Sequence, residues 1–255
     1  MLIFPTPKLS PYTGMVGYGG GASSLSTFLG GIPPLVTSGN YDNDMSLGND
    51  DFCIEFFFRK STTNQKTFWG YGSDSPMGEV DNQKLRYYSN TYNGISGFNL
   101  NVGTFSTNTW YHIAFVREDG DGDERMIMYF NGQIKEKITR AGDWDQETLT
   151  IGARANGTLN FDGHISNFRF RRGTSVYGFN NSYTVPSLPL AVTSDTILYC
   201  CNHPNASDGQ FGYSNGGNVA LDVGGSPTVS DSEVPSGASY SVSFGTNNYL
   251  RTPSS

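Results

Sequence analysis

A strict alternation of apolar residues beginning at Phe52 constrains this chain more than any other feature. Phe52, Ile54, Phe56 and Phe58 alternate with Cys53, Glu55, Phe57 and Arg59. A period of two puts every second side chain on one side of an extended strand, so this segment presents one strongly apolar face. Trp110 to Arg117 has the same character and is the strongest strand candidate in the chain. Arg125 to Phe130 follows, then Asn131-Gly132 and a returning run from Gln133 to Ile138. Asn-Gly between two strand-like runs predicts a type I′ hairpin, whose two central residues need positive φ. Lys66 to Tyr71, Lys84 to Tyr88, Gly97 to Val102, Leu149 to Ala153 and Phe161 to Phe170 complete the series. No stretch repeats at helical spacing. Short strands separated by Gly, Asn, Asp and Ser predict an all-β sandwich or jelly roll.

The 255 residues suffice for one large all-β domain with appended arms. With 23 acidic against 16 basic residues, a net charge of -7 and no Lys/Arg cluster, the chain lacks the electrostatic footprint of a nucleic-acid binder. No apolar run approaches the length of a membrane span. Met1 to Pro5 has no basic n-region with a long apolar stretch behind it, so the chain is expected to fold where it is made. Cys53, Cys200 and Cys201 are odd in number and show no metal-ligand spacing, which predicts buried free thiols. As neighbours on a strand, Cys200 and Cys201 are expected on opposite faces.

Four segments follow from these patterns. Residues 1–35 read as an arm, because Pro5, Pro7 and Pro11 forbid regular structure and Gly17, Gly19, Gly20 and Gly21 make a flexible run. Such an arm either attaches to another protein or stays disordered. Residues 36–203 form the sandwich, 204–237 a Gly/Ser/Asn-rich loop segment, and 238–255 a terminal strand. That strand either completes its own sandwich, the favoured reading since sandwich termini lie close together, or pairs with a neighbour.

Glu118 to Glu124 is an acidic run between the two best strands, and calcium prefers clustered carboxylate oxygens. Asp119, Asp121 and Asp123 are therefore the candidate Ca²⁺ ligands, set against a solvated hairpin tip; the run lacks the EF-hand pattern. Glu79-Val80-Asp81 begins the spaced carboxylates of a glucanase, but Gln83 stands where a third acid belongs, and the flanking residues read as loop. No Ser/His/Asp arrangement emerges from His112, His164 and His203. His112 is expected to face solvent or a sheet partner. Among the tryptophans, Trp110 reads as core and Trp144, in a turn, as the candidate ligand contact. Arg169, Arg171 and Arg172 read as a pairing face between strands or subunits. No catalytic constellation is found.

Several of these segments resemble a known family. Phe52 to Phe58 is similar to the laminin-G-like strand F-T-I-E-F-W-V, and Trp110 to Arg117 to W-Y-H-I-A-F-V-R. Tyr129 to Gly132 resembles Y-V-N-G, Leu149 to Gly152 resembles L-x-I-G, and Gly163 to Arg169 resembles G-x-I-S-N-F-R. The resemblance implies a concanavalin A-like, laminin-G-like β-sandwich jelly roll with an extended N-terminal arm. Arg172 to Tyr177, Tyr183 to Leu190 and Thr196 to Cys200 are similar to the tail of such modules in virion proteins of marine tailed bacteriophages, cyanophages especially. Tyr240 to Leu250 resembles the strand that normally opens the module. The resemblance implies a non-catalytic virion structural protein, assembled in the host cytoplasm onto a capsid or fibre. Its partners would be other virion proteins, held through the arm and the terminal strand, further copies of itself, and a host surface glycan. No cofactor is implied beyond the candidate Ca²⁺.

Overall fold

The computed structural model describes Leu47 and residues 50–72, 77–81, 84–88, 99–101, 106–120, 123–139, 148–173, 177, 181–210 and 218–252. The chain divides into two compact units, Met1–Pro33 and Pro34–Ser255. The arm expected over 1–35 lies outside the described residues, and the fold below is that of the second unit.

Two antiparallel sheets make the architecture, and the described residues contain no helix. At the centre of the ten-stranded sheet lies β1 (Phe52–Lys60), with β6 (Trp110–Gly120), β7 (Asp123–Phe130) and β8 (Gln133–Thr139) on one side. On its other side are β10 (Gly163–Arg172), β11 (Thr196–Cys200), β12 (Asp208–Gln210) and β13 (Asn218–Ala220), with β15 (Thr228–Ser230) and β16 (Ser241–Phe244) joining through β10. The seven-stranded sheet runs β14 (Asp222–Gly224), β17 (Tyr249–Arg251), β9 (Leu149–Ile151), β2 (Lys66–Tyr71), β3 (Met77–Asp81), β4 (Lys84–Tyr88) and β5 (Asn99–Asn101).

The alternation read in the sequence decides which side of each strand meets the core. Phe52, Ile54, Phe56 and Phe58 of β1 enter one cluster with Ile113 and Phe115 of β6 and with Phe68, Trp69 and Tyr71 of β2. Phe56 stacks on Phe168 at a ring separation of 5.3 Å. Each such side chain contributes about 1.5–3 kcal/mol by leaving water. The hairpin between β7 and β8 turns as expected, with φ of 49° at Asn131 and 74° at Gly132, the two positive values of a type I′ turn. Gly132 is required twice over: a Cβ there would lie 2.1 Å from the carbonyl oxygen of Tyr183.

Strict alternation fails in β10, and much depends on that failure. Ile165, Phe168 and Phe170 all reach the core, so the spacing between the first two is three rather than two. The register with β1 shifts between Glu55↔Arg169 and Phe57↔Ser166, which marks a β-bulge. Asn167 sits in it at φ 53°, a left-handed conformation that Asn tolerates better than most residues. Continued alternation from Ile165 would have sent Arg169 and Arg171 into the core and Phe168 and Phe170 out of it. Asn167 also anchors its surroundings, because its side-chain oxygen accepts the Leu190 amide at 3.2 Å and the Tyr199 hydroxyl.

The C-terminal part departs from the expected loop and single strand. The described residues of 204–237 contain four short strands, β12 to β15, each of three residues and thus too short to register as a period. Tyr240 to Leu250 forms two strands in different sheets. β16 pairs with β10 of its own chain, and β17 pairs with β9 and β14. The terminal strand lies beside β10 rather than β1, because β1 is already flanked by β6 and β10. β10 divides its outer edge: Gly163 to Ile165 pairs with β16, and Phe168 to Arg171 with β11.

Cys200 and Cys201 also correct the expectation. Both side chains lie in the same core cluster, because Cys201 leaves the strand with φ 59°. Replacing Asn167 by Ala removes a tolerated left-handed residue and strands the Leu190 amide, so urea unfolding should show a loss of about 2–4 kcal/mol. Asn167→Gly restores the backbone share alone and should fall between that variant and the parent.

Candidate functional site

Buried charge is concentrated on the outer side of the ten-stranded sheet, where β1 presents Cys53, Glu55 and Phe57. None of these meets open solvent: they are 1%, 0% and 9% exposed. The covering layer is a strap formed by Tyr177 and residues 181–195. Tyr177 and Tyr183 pack against Cys53, Ala114, Val116, Ile127 and Tyr129, while Val185, Leu188 and Leu190 pack with Phe57 and Tyr199. The rings of Tyr177 and Tyr183 stack 3.7 Å apart.

Glu55 lies beneath this strap. Its Oε1 accepts from Arg169 Nη2 at 2.5 Å and Nε at 3.0 Å, and its Oε2 accepts from the Tyr177 hydroxyl and from His112 Nε2 at 3.2 Å. Arg169 Nη1 continues to the carbonyl of Ala191 at 2.6 Å, and the Tyr183 hydroxyl lies 3.3 Å from His112 Nδ1. Burial pushes the Glu55 carboxyl up, but the His112 hydrogen bond and the Arg169 guanidinium outweigh it and hold the group below its ordinary value. Burial pushes both strap tyrosines well above theirs, helped most by the Glu55 charge at Tyr177 and by Cys53 and then Glu55 at Tyr183. His112 is thus 1% exposed, not solvent-facing, because the strap covers the position. The arginine cluster pairs within the chain: Arg169 binds Glu55, Arg171 binds Asp195, and Arg172 Nε lies 3.4 Å from Asp50. Four donors saturate the Glu55 carboxylate, so this network fastens the strap and leaves no lone pair for proton transfer.

Glu79 gives the same answer on the other sheet. It lies in a strand, β3, not in a loop, and its side chain is nearly inaccessible. Oε1 accepts from Arg154 Nε and Nη2, both at 2.8 Å, and from Thr67 Oγ1 at 3.2 Å; Oε2 accepts from Gln65 Nε2 at 2.9 Å. A carboxylate so occupied is a structural acceptor. The side chain of Asp81 is not among those described.

One part of the outer face is left uncovered by the strap. The ladder aligns Trp110 of β6 with Arg59 of β1, Arg59 with His164 of β10, His164 with Ser243 of β16, and Ser243 with Thr228 of β15. Their neighbours Phe58, Ile165 and Val242 point into the core, so this row points outward. Thr228 is exposed and the other four are partly so. Trp110 lies against the apolar Phe57, Leu190 and Tyr199 with its ring 6.4 Å from that of His164. Arg59 Nη1 meets Glu233 Oε2 at 2.8 Å at the edge of the row. Ser241 Oγ donates to the carbonyl of Glu233 at 2.6 Å and therefore accepts from His164 Nδ1 at 3.2 Å, which leaves Nε2 as an acceptor. Burial and the Arg59 charge push the imidazole below its ordinary value, against the pull of Glu233. An aromatic face beside a guanidinium, a carboxylate, an imidazole acceptor and two hydroxyls supplies apolar contact and both senses of hydrogen bond.

Residues 37–174 match the family described as the concanavalin A-like lectin/glucanases superfamily, Laminin_G_3. This chain belongs to that superfamily. The match ends before the strap and before β11 to β17, so Ser243, Thr228 and Glu233 lie beyond it. Among solved structures, a Bacteroides ovatus protein described as carbohydrate binding is 14% identical, with a TM-score of 0.45 over 82% of this chain and 55% of that one. The chain thus spans little more than half of that relative. A heptameric pentraxin from Limulus polyphemus is 15% identical, with a TM-score of 0.38 over 52% of this chain and 69% of its own. A Ruminococcus gnavus sialidase module bound to α2,3-sialyllactose is 11% identical, with a TM-score of 0.36 over 46% and 72%. The likeness is one of fold alone. No curated protein matches the chain.

The residues singled out in the sequence fare unevenly. Asp119 and Asp123 lie in the paired ends of β6 and β7, opposite Glu124 and Gly120, so the ladder extends further into the acidic run than expected. Their side chains, like Asp121 and Trp144 as a whole, are outside the described ones. Among the described residues no group of three His, Cys, Asp or Glu side chains is placed to hold a metal, and no helix is long and apolar enough to cross a membrane. Trp110 corrects its assignment to the core. It faces outward because Tyr111, the next residue, packs inward. The signal was available in Trp110, His112, Ala114 and Val116 as one face of β6, but two apolar faces on one strand obscure which is inner.

Glu55→Gln leaves Arg169 buried without its counter-charge and should cost about 3–5 kcal/mol in chemical denaturation. Since the folded state depresses the Glu55 carboxyl, the pair's contribution is complete above about pH 5 and is lost as pH falls through the folded value. Thermal melts of the parent should therefore decline below about pH 5, and those of Glu55→Gln should decline less.

Proposed function

We propose that this chain is a non-catalytic binding module of a bacteriophage particle surface, and that it holds carbohydrate on the outward row of Trp110, Arg59, His164 and Ser243. The row is the observation that carries the reading. A sugar ring offers C–H groups to an aromatic face and hydroxyls to the polar groups around it. Trp110, packed against Phe57, Leu190 and Tyr199, provides such a face. Arg59, Glu233 and His164 hold one another by an ion pair and hydrogen bonds, so they are ordered before a ligand arrives. Membership of a superfamily that contains lectins supports binding. The same superfamily contains glucanases, but the two most buried carboxylates described here, Glu55 and Glu79, have their oxygens filled by Arg, Tyr, His, Gln and Thr donors.

The placement on a virion rests on the similarity of residues 172–200 to the tail of laminin-G-like modules in phage virion proteins. Much of that stretch is the strap with its flanking strands, so the resemblance falls on an element with a definite structural job. In this reading the particle is the scaffold, the sandwich is its outward module, and the host surface glycan is the ligand.

Two measurements test the two halves. The multimerised protein should retain a subset of immobilised glycans on an array, and Trp110→Ala should weaken retention roughly thirtyfold, as expected for loss of an aromatic anchor worth about 2 kcal/mol. No retained glycan, or equal retention by Trp110→Ala, would remove the carbohydrate reading. Quantitative mass spectrometry of purified particles should find the chain in fixed ratio to the major capsid protein, and its absence would remove the virion reading.

A further inference from the structure

We propose that Cys200 and Cys201 form a reversible disulfide between adjacent residues, making the turn after β11 a redox-sensitive modification site. Adjacent residues of a continuous strand point to opposite faces and cannot bring their sulfurs together. Here the left-handed φ of 59° at Cys201 turns its side chain to the same side as Cys200, and the two Sγ atoms lie 3.8 Å apart. Both thiols are in the core between the sheets, at 0% and 1% exposure. The third cysteine has no part in the pairing. Cys53 belongs to the cluster on the outer side of the ten-stranded sheet, with Ala114, Val116, Ile127 and Tyr129. The sheet itself separates it from the pair, so one intramolecular partnering is available among the three thiols.

The turn is held in this shape from outside. Cys200 pairs in the ladder with Phe168 and Gly209, and the carbonyl of Cys201 accepts the Asn167 amide at 3.2 Å. Closing 3.8 Å to a bond of about 2 Å asks for side-chain rotation rather than movement of these strands. Adjacent Cα atoms are about 3.8 Å apart, shorter than the usual range for disulfides of about 4.4–6.8 Å, so the bond carries strain and is easily reduced. Easily reduced disulfides are the labile and regulatory ones. The oxidant class is a low-molecular-weight disulfide such as oxidised glutathione. One protein thiolate attacks it and releases one small thiol; the second then displaces the other. Two S–H bonds break, one Sγ–Sγ bond forms, and the two hydrogens end on the two released thiols. Burial pushes the Cys200 thiol well above its ordinary value, so the exchange proceeds during transient opening and is slow.

The bridge joins the two residues next to the Asn167 bulge, whose side chain holds Leu190 and Tyr199. Oxidation therefore stiffens the anchor of the strap.

The test equilibrates the full chain with oxidised and reduced glutathione, folded and in concentrated urea, followed by acid quench, alkylation in denaturant and intact-mass and peptide analysis. The bridged protein should be lighter by about 2 Da before alkylation, for two lost hydrogens, and should present one alkylated cysteine, Cys53, where the reduced protein presents all three. The bridged fraction at a given glutathione ratio should be higher in the folded protein than in urea, and a phosphine reductant should reverse it. Cys53→Ser should retain the bridge and Cys201→Ser should abolish it; if Cys201→Ser fails to fold, peptide mapping of the parent decides. Three alkylated cysteines at equilibrium, glutathione left on Cys200 or Cys201 without a bridge, or equal bridging in urea would each overturn the proposal.

Discussion

The left-handed Asn167 in β10 is the constraint on which the outer half of this molecule depends. It inserts one residue into the strand and so moves Phe168 and Phe170 inward while Arg169 and Arg171 turn outward. Arg169 then stands opposite Glu55, and the two charges can be buried only because each completes the other. The same side chain of Asn167 holds the strap by Leu190 and braces Tyr199. Core packing, charge pairing and strap docking thus meet at a single bulge, and none of them survives a shift of phase in β10.

The strap turns a two-layer sandwich into one with three layers over part of its area. An outer sheet face normally alternates to polar residues; here Cys53, Phe57, Ala114, Val116, Ile127 and Tyr129 are apolar because Tyr177, Tyr183, Val185, Leu188 and Leu190 cover them. Glu55, His112 and Arg169 are polar exceptions, and they serve as attachment points. Where the strap stops, the face becomes the row from Trp110 to Thr228, one aromatic ring followed by four polar residues. The boundary between covered and open sheet therefore selects which aromatic ring is available to a ligand.

The C-terminal strands have a related effect. β16 occupies the edge of β10 that β11 leaves free, and in doing so brings Ser243 into line with His164. The loop before it supplies Glu233 to Arg59. Ser243 thus stands 79 residues from His164 in the chain and Glu233 stands 174 from Arg59, contacts that no local pattern specifies.

By itself the sequence determined the all-β class, the inward face of β1, and the type I′ turn at Asn131-Gly132, because period-two alternation and a two-residue Asn-Gly turn are local properties. Buried free thiols were legible from the odd number of cysteines and their lack of metal-ligand spacing. The tertiary structure alone decided the rest. His112 reads as facing solvent or a sheet partner, and Arg169 and Arg171 as a pairing face between strands or subunits; only the strap decides that they are buried. Trp110 read as core because an apolar strand with two apolar faces carries no label for which side is inner. The short strands between 208 and 230 were invisible because three residues hold no period, and Cys200 and Cys201 came to one side because a single positive φ, set by the surrounding ladder, overrides alternation.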